Sequence, residues 1–374
     1  MSTKYFQSEN EKEINIINFT MLEEEAKKII PAGGYGYING GAEDEWTLRM
    51  NTEAFNHKQI VPRSLTDVEK PDLTTTIYGE KISMPIFMTT VASHGLAHKD
   101  GEIATAKGTA AAGTIMGIST YSTKSLDEIM TASTGPKWFQ LYMSKDDKFN
   151  EYMIGKAVAN GAKAVILTVD ATLGGYREAD LKNNFIFPLP MGNLESLGEG
   201  LGQSISEIFA NAKQKIGIKD IEKIVAMTDL PVIVKGIESP EDALLAIGAG
   251  AKGIYVSNHG GRQLDGGPAS FDVLESIAKA VNKKVPIIFD SGVRRGQHVF
   301  KALASWCRPS WNWRPAIYGL VVGGSKGVTS VFKHFAKELK IVMQLAGCQT
   351  VEDIKKAKLL SIKILKDESK KKVN

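Results

Sequence analysis

Cysteine, net charge and long apolar runs are all scarce in this chain, and each scarcity excludes something. Two cysteines among 374 residues, Cys307 and Cys348, cannot build a disulfide framework, which fits a reducing cytoplasm. No apolar stretch approaches the roughly 18 residues that a membrane span requires. The N-terminal M-S-T-K-Y-F-Q-S-E-N-E-K-E is polar and acidic, unlike a signal peptide. The net charge is only +4, and residues 351–374 hold eight Lys against four Asp or Glu, which accounts for all of it. The rest is neutral on balance, so nothing points to nucleic acid, and the terminal K-K-K reads as a solvated tail. A Gly-x-Gly-x-x-Gly after the first strand is also missing, which argues against a dinucleotide-binding doubly wound sheet.

What is present is a chain 43% hydrophobic, enough to bury a large core. Since α/β barrels commonly run past about 250 residues as one unit, residues 1–374 read as a single domain. Thr20-x-x-Glu23 ahead of Leu22, Ala26, Ile29 and Ile30 predicts a capped amphipathic helix, stopped by Pro31-Ala-Gly-Gly. From Ile86 onward, short β-type apolar runs alternate with helical stretches at roughly the length of a βαβ unit. The runs are Ile86–Thr90, Ile115–Thr120, Trp138–Tyr142, Ala164–Asp170, Val232–Lys235, Gly253–Ser257 and Val285–Asp290, and an eighth is due near residue 310. Alternation of this kind implies a parallel sheet, and eight units close a (β/α)8 TIM barrel, here with an N-terminal helical extension.

One interval breaks the rhythm. Sixty residues separate Asp170 from Pro231, among them the glycine-rich stretch 192–202. So long a connection after strand 4 predicts a mobile lid over the barrel mouth, at about 180–220, with a short helix at Ile205–Ala212. Asp170, Lys235, His259 and Asp290 all fall where strands end, the face on which such barrels carry their active sites.

The stretch with most chemistry is Ser257–Pro268, S-N-H-G-G-R-Q-L-D-G-G-P. It sets an imidazole and a guanidinium three residues apart among glycines. The imidazole can accept a proton, and the guanidinium can hold a carboxylate through two parallel hydrogen bonds. The glycines let a flat ligand approach the backbone.

This string closely resembles the signature of the FMN-dependent 2-hydroxy-acid oxidase family, and the likeness extends from about Tyr35 to about Asp353. Within the family it is greatest to the bacterial L-lactate oxidases. The resemblance implies an FMN enzyme that oxidises L-lactate or a similar small L-2-hydroxy acid with oxygen, giving the 2-oxo acid and hydrogen peroxide. It implies a homotetramer and no metal site. His259 would be the general base that takes a proton from the substrate, with hydride and carbanion routes both open. Asp170 would hold the imidazolium, although an aspartate there could also cap a helix. Arg262 and Arg177 would clamp the carboxylate; Arg177 alone could equally form a surface ion pair. Tyr37 and Tyr142 match tyrosines that reach the substrate through their hydroxyls, while a buried structural tyrosine would look the same.

For the cofactor, the resemblance assigns Lys235 to the flavin edge where negative charge collects on reduction. Ser119, Gln140, Thr168 and Ser257 match ring-side positions, with Ala92 beside them. Asp290, Gly292 and Arg294, in F-D-S-G-V-R-R-G, match the ribityl and phosphate site, as does Arg314. Two departures stand out. Phe187 and Phe209 replace tyrosines common in the lactate oxidases, and Thr90 replaces a proline in the turn before Ala92.

Residues 306–313 depart further. W-C-R-P-S-W-N-W holds three of the five tryptophans, and Pro309 falls where a central strand is due. The family pattern is close to G-A-D-L-V-A-I-G. Codons for W-C-R-P-S-W-N-W exist that, read one base later, encode G-A-D-L-V-G-I-G, which points to two compensating single-base shifts. The segment as written should fold poorly or retain little FMN. Replacing it by G-A-D-L-V-G-I-G should therefore raise both flavin content and peroxide yield, and equal values for the two forms would refute this.

Two other functions compete with the oxidase. A dehydrogenase passing electrons to a quinone or cytochrome would keep the same site, but neither a preceding haem domain nor a membrane-binding segment is expected. A barrel inactivated by the damaged eighth strand would lose the chemistry while His259, Arg262, Asp170 and Lys235 remained.

Overall fold

Eight parallel strands close into a barrel in the computed structural model, which describes residues 5–194, 200–305, 310–312 (by backbone alone) and 314–362. The strands are β1 (Ile86–Val91), β2 (Met116–Ser119), β3 (Lys137–Tyr142), β4 (Val165–Thr168), β5 (Val232–Ile237), β6 (Gly253–Val256), β7 (Ile287–Phe289) and β8 (Ser310–Asn312). Each expected apolar run holds one of them. Ser310 pairs with Phe289 on one side and Ile86 on the other, which closes the ring. The expected disturbance of the eighth strand falls largely on residues 306–309 and 313, which lie outside the described residues.

Side chains alternate across these strands with period two, and that alternation positions the site. Phe87, Trp138, Ile166, Ile233, Tyr255 and Ile288 point inward and pack together as the barrel's apolar filling. Their neighbours Met88, Phe139, Leu167, Val234, Val256 and Phe289 belong to the larger core that includes the surrounding helices. Two residues further along the same inward face come Thr89, Gln140, Thr168, Lys235, Ser257 and Asp290. The barrel is thus plugged by hydrocarbon and rimmed by polar groups at its C-terminal end.

The N-terminal helix α1 (Phe19–Ile29) forms as expected, but its cap differs. Asn18 accepts from the backbone N–H of Met21 at 2.8 Å, and Thr20 already lies inside the helix. α1 stops directly before Pro31, as expected, but helical structure resumes at once: Pro31 sits at the N-cap of α2 (Ala32–Asn39), where its missing N–H costs nothing. α3 is Trp46–Glu53. Between β4 and β5 lie α4 (Glu178–Lys182), α5 (Ile205–Ala210) and α6 (Ile218–Ala226). α5 ends two residues short of the expected Ala212 and carries a capping box between Ser204 and Glu207. Backbone hydrogen bonds between Phe187 and residues 202 and 203 tie the two arms of this insertion together. The last long helix, α7 (Arg314–Leu345), breaks at Gly323 and Gly324, where Gly324 has φ 60°. Among the described residues no helix is long and apolar enough to cross a membrane.

Candidate active site

Thr89, Lys235 and Asp290 of the inward polar rim line a cavity that is open at its mouth. Gln140 donates to Thr168 Oγ1 at 2.9 Å, and its own Oε1 meets no donor among the described residues. Lys235 Nζ lies 2.9 Å from Ser257 Oγ, so the ammonium that would be costly unpaired is hydrogen-bonded. Ser119 ends β2 beside Gln140 and accepts from the N–H of Tyr121 at 3.1 Å. Ala92 lines the same cavity just beyond β1.

The loop after β6 carries the histidine. His259, Gly260 and Gly261 all have positive φ, 58°, 70° and 73°, a conformation easy for the glycines and strained for the histidine. A Cβ on Gly261 would run into the backbone of Leu48 in α3, so that position requires glycine. The turn brings His259 Nδ1 to 3.1 Å from Asp170 Oδ1 and Nε2 to 3.2 Å from the Tyr142 hydroxyl. A carboxylate only accepts, so Nδ1 carries the proton and Nε2 is left basic. The pair is 15% and 13% exposed.

Burial pushes the imidazole below its ordinary 6.5, the charge of Asp170 opposes that, and Lys235 adds to it. Burial also resists ionisation of Asp170, yet Lys235 and His259 together hold its carboxyl below the usual range. The result is a neutral base beside an ionised carboxylate. Asp170 caps no helix, since the helix that follows it, α4, begins at Glu178 with Arg177 in the N-cap position.

Arg177 and Arg262 enter the cavity from two loops. Arg177 is buried rather than in a surface ion pair; it donates through Nε to Arg262 O at 3.2 Å and through Nη2 to Gln263 Oε1 at 3.1 Å. Arg262 donates to the carbonyls of Tyr37 and Gly40, at 2.6 and 2.9 Å, with its guanidinium 5.0 Å from the Tyr37 ring centroid. Burial and the neighbouring Arg177 lower Arg262 to about 9, still protonated at neutral pH. Two buried cations side by side favour an anionic guest. Burial raises the hydroxyls of Tyr37 and Tyr142, so both remain donors. Phe187, Met191, Ile205, Ile208 and Phe209 of the β4–β5 insertion supply the apolar side of the cavity.

A smaller cavity adjoins the first, sharing Asp290 with it and lined also by Gly260, Ser291, Gly292, Val293, Arg294 and Arg314. Gly292 has φ 82°, and a Cβ there would run into the carbonyl of Asn51. Burial lowers both guanidiniums, Arg314 to about 10, and the charge of Arg294 adds to the fall of Arg314. Arg314 opens α7, so a helix N-terminus faces the same space. A buried cation, Arg314, a half-buried one, Arg294, and a helix N-terminus suit a phosphate. An orphaned Gln140 oxygen and a buried ammonium on the rim suit a polar ring edge. The residues therefore fit FMN.

Every residue expected at the site lies on this rim or lines one of these two cavities except Asp170, which sits behind His259 and bonds its Nδ1, and Ser119, which pairs with Gln140 beside the rim. Three features escape the sequence reading. Thr89 on the rim and Tyr255 beneath it form a hydrogen-bonded pair, and their signal was available, since both occupy inward positions of strands. Tyr121 stacks on Tyr142 at 4.7 Å, with no pattern to announce it. Asp180, one helical turn after Arg177, is buried, and neither of its carboxylate oxygens is hydrogen-bonded among the described residues. Burial raises it, and the charges of Arg262 and Arg177 oppose the rise.

A sequence model of the FMN-dependent dehydrogenase family matches residues 26–361. An L-lactate oxidase of Lentilactobacillus hilgardii is 61% identical over 362 residues, which are 96% of this chain and 98% of that protein. An L-lactate oxidase of Streptococcus iniae is 49% identical, over 94% and 88% of the two chains. Among solved structures, a refolded Pediococcus acidilactici protein named as a lactate oxidase superposes with TM-score 0.93 at 58% identity, covering 96% of this chain and 98% of that one. A mandelate oxidase with (S)-4-hydroxymandelic acid gives TM-score 0.89 at 32% identity, over 92% and 99%.

Proposed function

The chain belongs to the FMN-dependent dehydrogenase family, and on that premise we propose that it oxidises L-lactate, or an L-2-hydroxy acid of similar size, to the 2-oxo acid while oxygen becomes hydrogen peroxide. The observation that carries the reading is a neutral imidazole, paired with a carboxylate, facing two buried guanidiniums in one cavity. Relatives named as L-lactate oxidases, 45–61% identical, support the substrate and the acceptor.

When bound, FMN supplies the acceptor for the two electrons that leave the hydroxy acid and passes them to oxygen. Gln140, Thr168, Ser119, Ser257, Ala92 and Lys235 would hold its ring, with Asp290, Gly292, Arg294 and Arg314 on its ribityl phosphate. Arg177 and Arg262 hold the substrate carboxylate, replacing water around two desolvated cations. Tyr37 and Tyr142 donate hydrogen bonds to substrate oxygens. His259 Nε2 takes a proton from the substrate, and Asp170 stabilises the imidazolium that results. The apolar wall of Phe187, Met191 and Phe209 excludes water and accepts the methyl of lactate. We take the same enzyme to be a soluble, cytoplasmic homotetramer, and light scattering on the purified protein checks the assembly.

The direct test adds L-lactate under air to the purified yellow protein and measures peroxide. Bleaching of the flavin without peroxide would instead indicate another acceptor. Two further results are expected. Arg262→Lys keeps a charge but loses the planar fork, so KM for lactate should rise and kcat fall together. Equal turnover of lactate and lactamide by the unaltered enzyme would refute the carboxylate clamp. The acid limb of kcat/KM should lie below 6.5, because the imidazole becomes protonated, and inactive, only as pH falls through its depressed value. An acid limb above 6.5 would exclude His259 as the free-enzyme base.

A further inference from the structure

Tyr255 sits on β6, wholly buried in the barrel filling, yet its hydroxyl and its ring face both meet residues of the polar rim. Its hydroxyl lies 2.8 Å from Asp290 Oδ2 and 2.7 Å from Thr89 Oγ1, whereas Thr89 is 3.3 Å from the same carboxylate oxygen. Burial, then the charge of Asp290, raise the phenol far above its ordinary value, so it stays protonated. The shorter contacts therefore set one direction: Thr89 donates to Tyr255, and Tyr255 donates to Asp290. Ser291 Oγ donates to the other oxygen, Oδ1, at 3.0 Å, and accepts from the N–H of Gly260 at 3.1 Å. Asp290 is thus oriented by hydroxyls on two sides, and through Ser291 it is tied to the residue after His259.

The ring of Tyr255 has a second neighbour. Lys235 Nζ lies 5.3 Å from its centroid, within range for a cation over an aromatic face, and also bonds Ser257. His259 N–H donates to that same Ser257 Oγ at 3.1 Å. One buried side chain therefore meets both the carboxylate assigned to the ribityl group and the ammonium assigned to the flavin edge.

We propose that Tyr255 is a positioning residue for the cofactor, orienting Asp290 through its hydroxyl and seating Lys235 against its ring. The inference rests on the FMN placement given under the proposed function. Tyr255→Phe keeps the ring and deletes the hydroxyl. It should weaken FMN retention about 10-fold or more, the scale of a lost hydrogen bond to a charged acceptor, while the midpoint potential of the bound flavin stays unchanged. Tyr255→Leu removes the ring as well, so it should also lower that potential, because the ammonium no longer stands fixed where negative charge collects. If leucine does not fold, methionine serves, since it fills irregular gaps.

The measurements are flavin released from holoenzyme on dilution and dye-equilibrated potentials. Adding Tyr255→Phe to Asp290→Asn should weaken FMN no further than Asp290→Asn alone. If Asp290→Asn weakens FMN and Tyr255→Phe does not, the positioning role is wrong and the placement of Asp290 stands. If Asp290→Asn leaves retention unchanged, the placement itself fails, and the inference with it. An unchanged potential in the ringless variant overturns the role assigned toward Lys235.

Discussion

His259→Asn is expected to purify with its FMN and to lose lactate-dependent flavin reduction by roughly 10²–10⁴, the contribution of a general base. Asparagine is the informative substitution because φ at this position is 58°, a left-handed conformation that asparagine tolerates better than most residues. Its amide can still donate toward Asp170, so the loop keeps its anchor and loses only a basic nitrogen. Flavin retention then reports the fold, and anaerobic stopped-flow reduction reports the chemistry. Reduction at a near-normal rate would remove His259 from the mechanism.

Asp170→Asn should slow kcat/KM by roughly 10–100-fold, the scale of a charge-assisted hydrogen bond stabilising the imidazolium. Its amide oxygen can still accept from Nδ1, so orientation survives and charge alone is removed. The pH profile gives the decisive sign. Asp170 raises the His259 value against burial, so deleting its charge lowers that value further. The acid limb should move to lower pH while the plateau falls. A variant with more unprotonated base and less activity is what stabilisation of the protonated state requires. An acid limb that moves upward would show that Asp170 does not act on His259 through its charge.

Much of the fold was legible because strands buried on both faces must be apolar throughout. The runs at Ile86, Trp138 and Val232 could hardly be anything else in a chain that alternates them with helices, and every expected run holds a barrel strand. The site was legible for a related reason. Lys235 and Asp290 are charged groups at the ends of such runs, a placement costly without a partner or ligand. The α1 cap was misread because Asn18 and Thr20 are both capping residues, and only the observed bond from Met21 to Asn18 separates them.

The sequence by itself determined the barrel, the ligand-bearing end and the residue types there, since apolar runs and punctuating charges are local patterns. Only tertiary structure decided which of those groups meet. His259 lies 89 residues from Asp170 and 117 from Tyr142, and hydrogen bonds over such separations depend on strand register and loop turns, not on neighbours in the chain. The same holds for Tyr255, read as one more apolar strand residue until the closed ring set its hydroxyl against Thr89 and Asp290. Protonation belongs wholly to that second level. An imidazole below its ordinary value beside an ionised carboxylate comes from burial together with the charge of Lys235, both of which exist only once the barrel has closed.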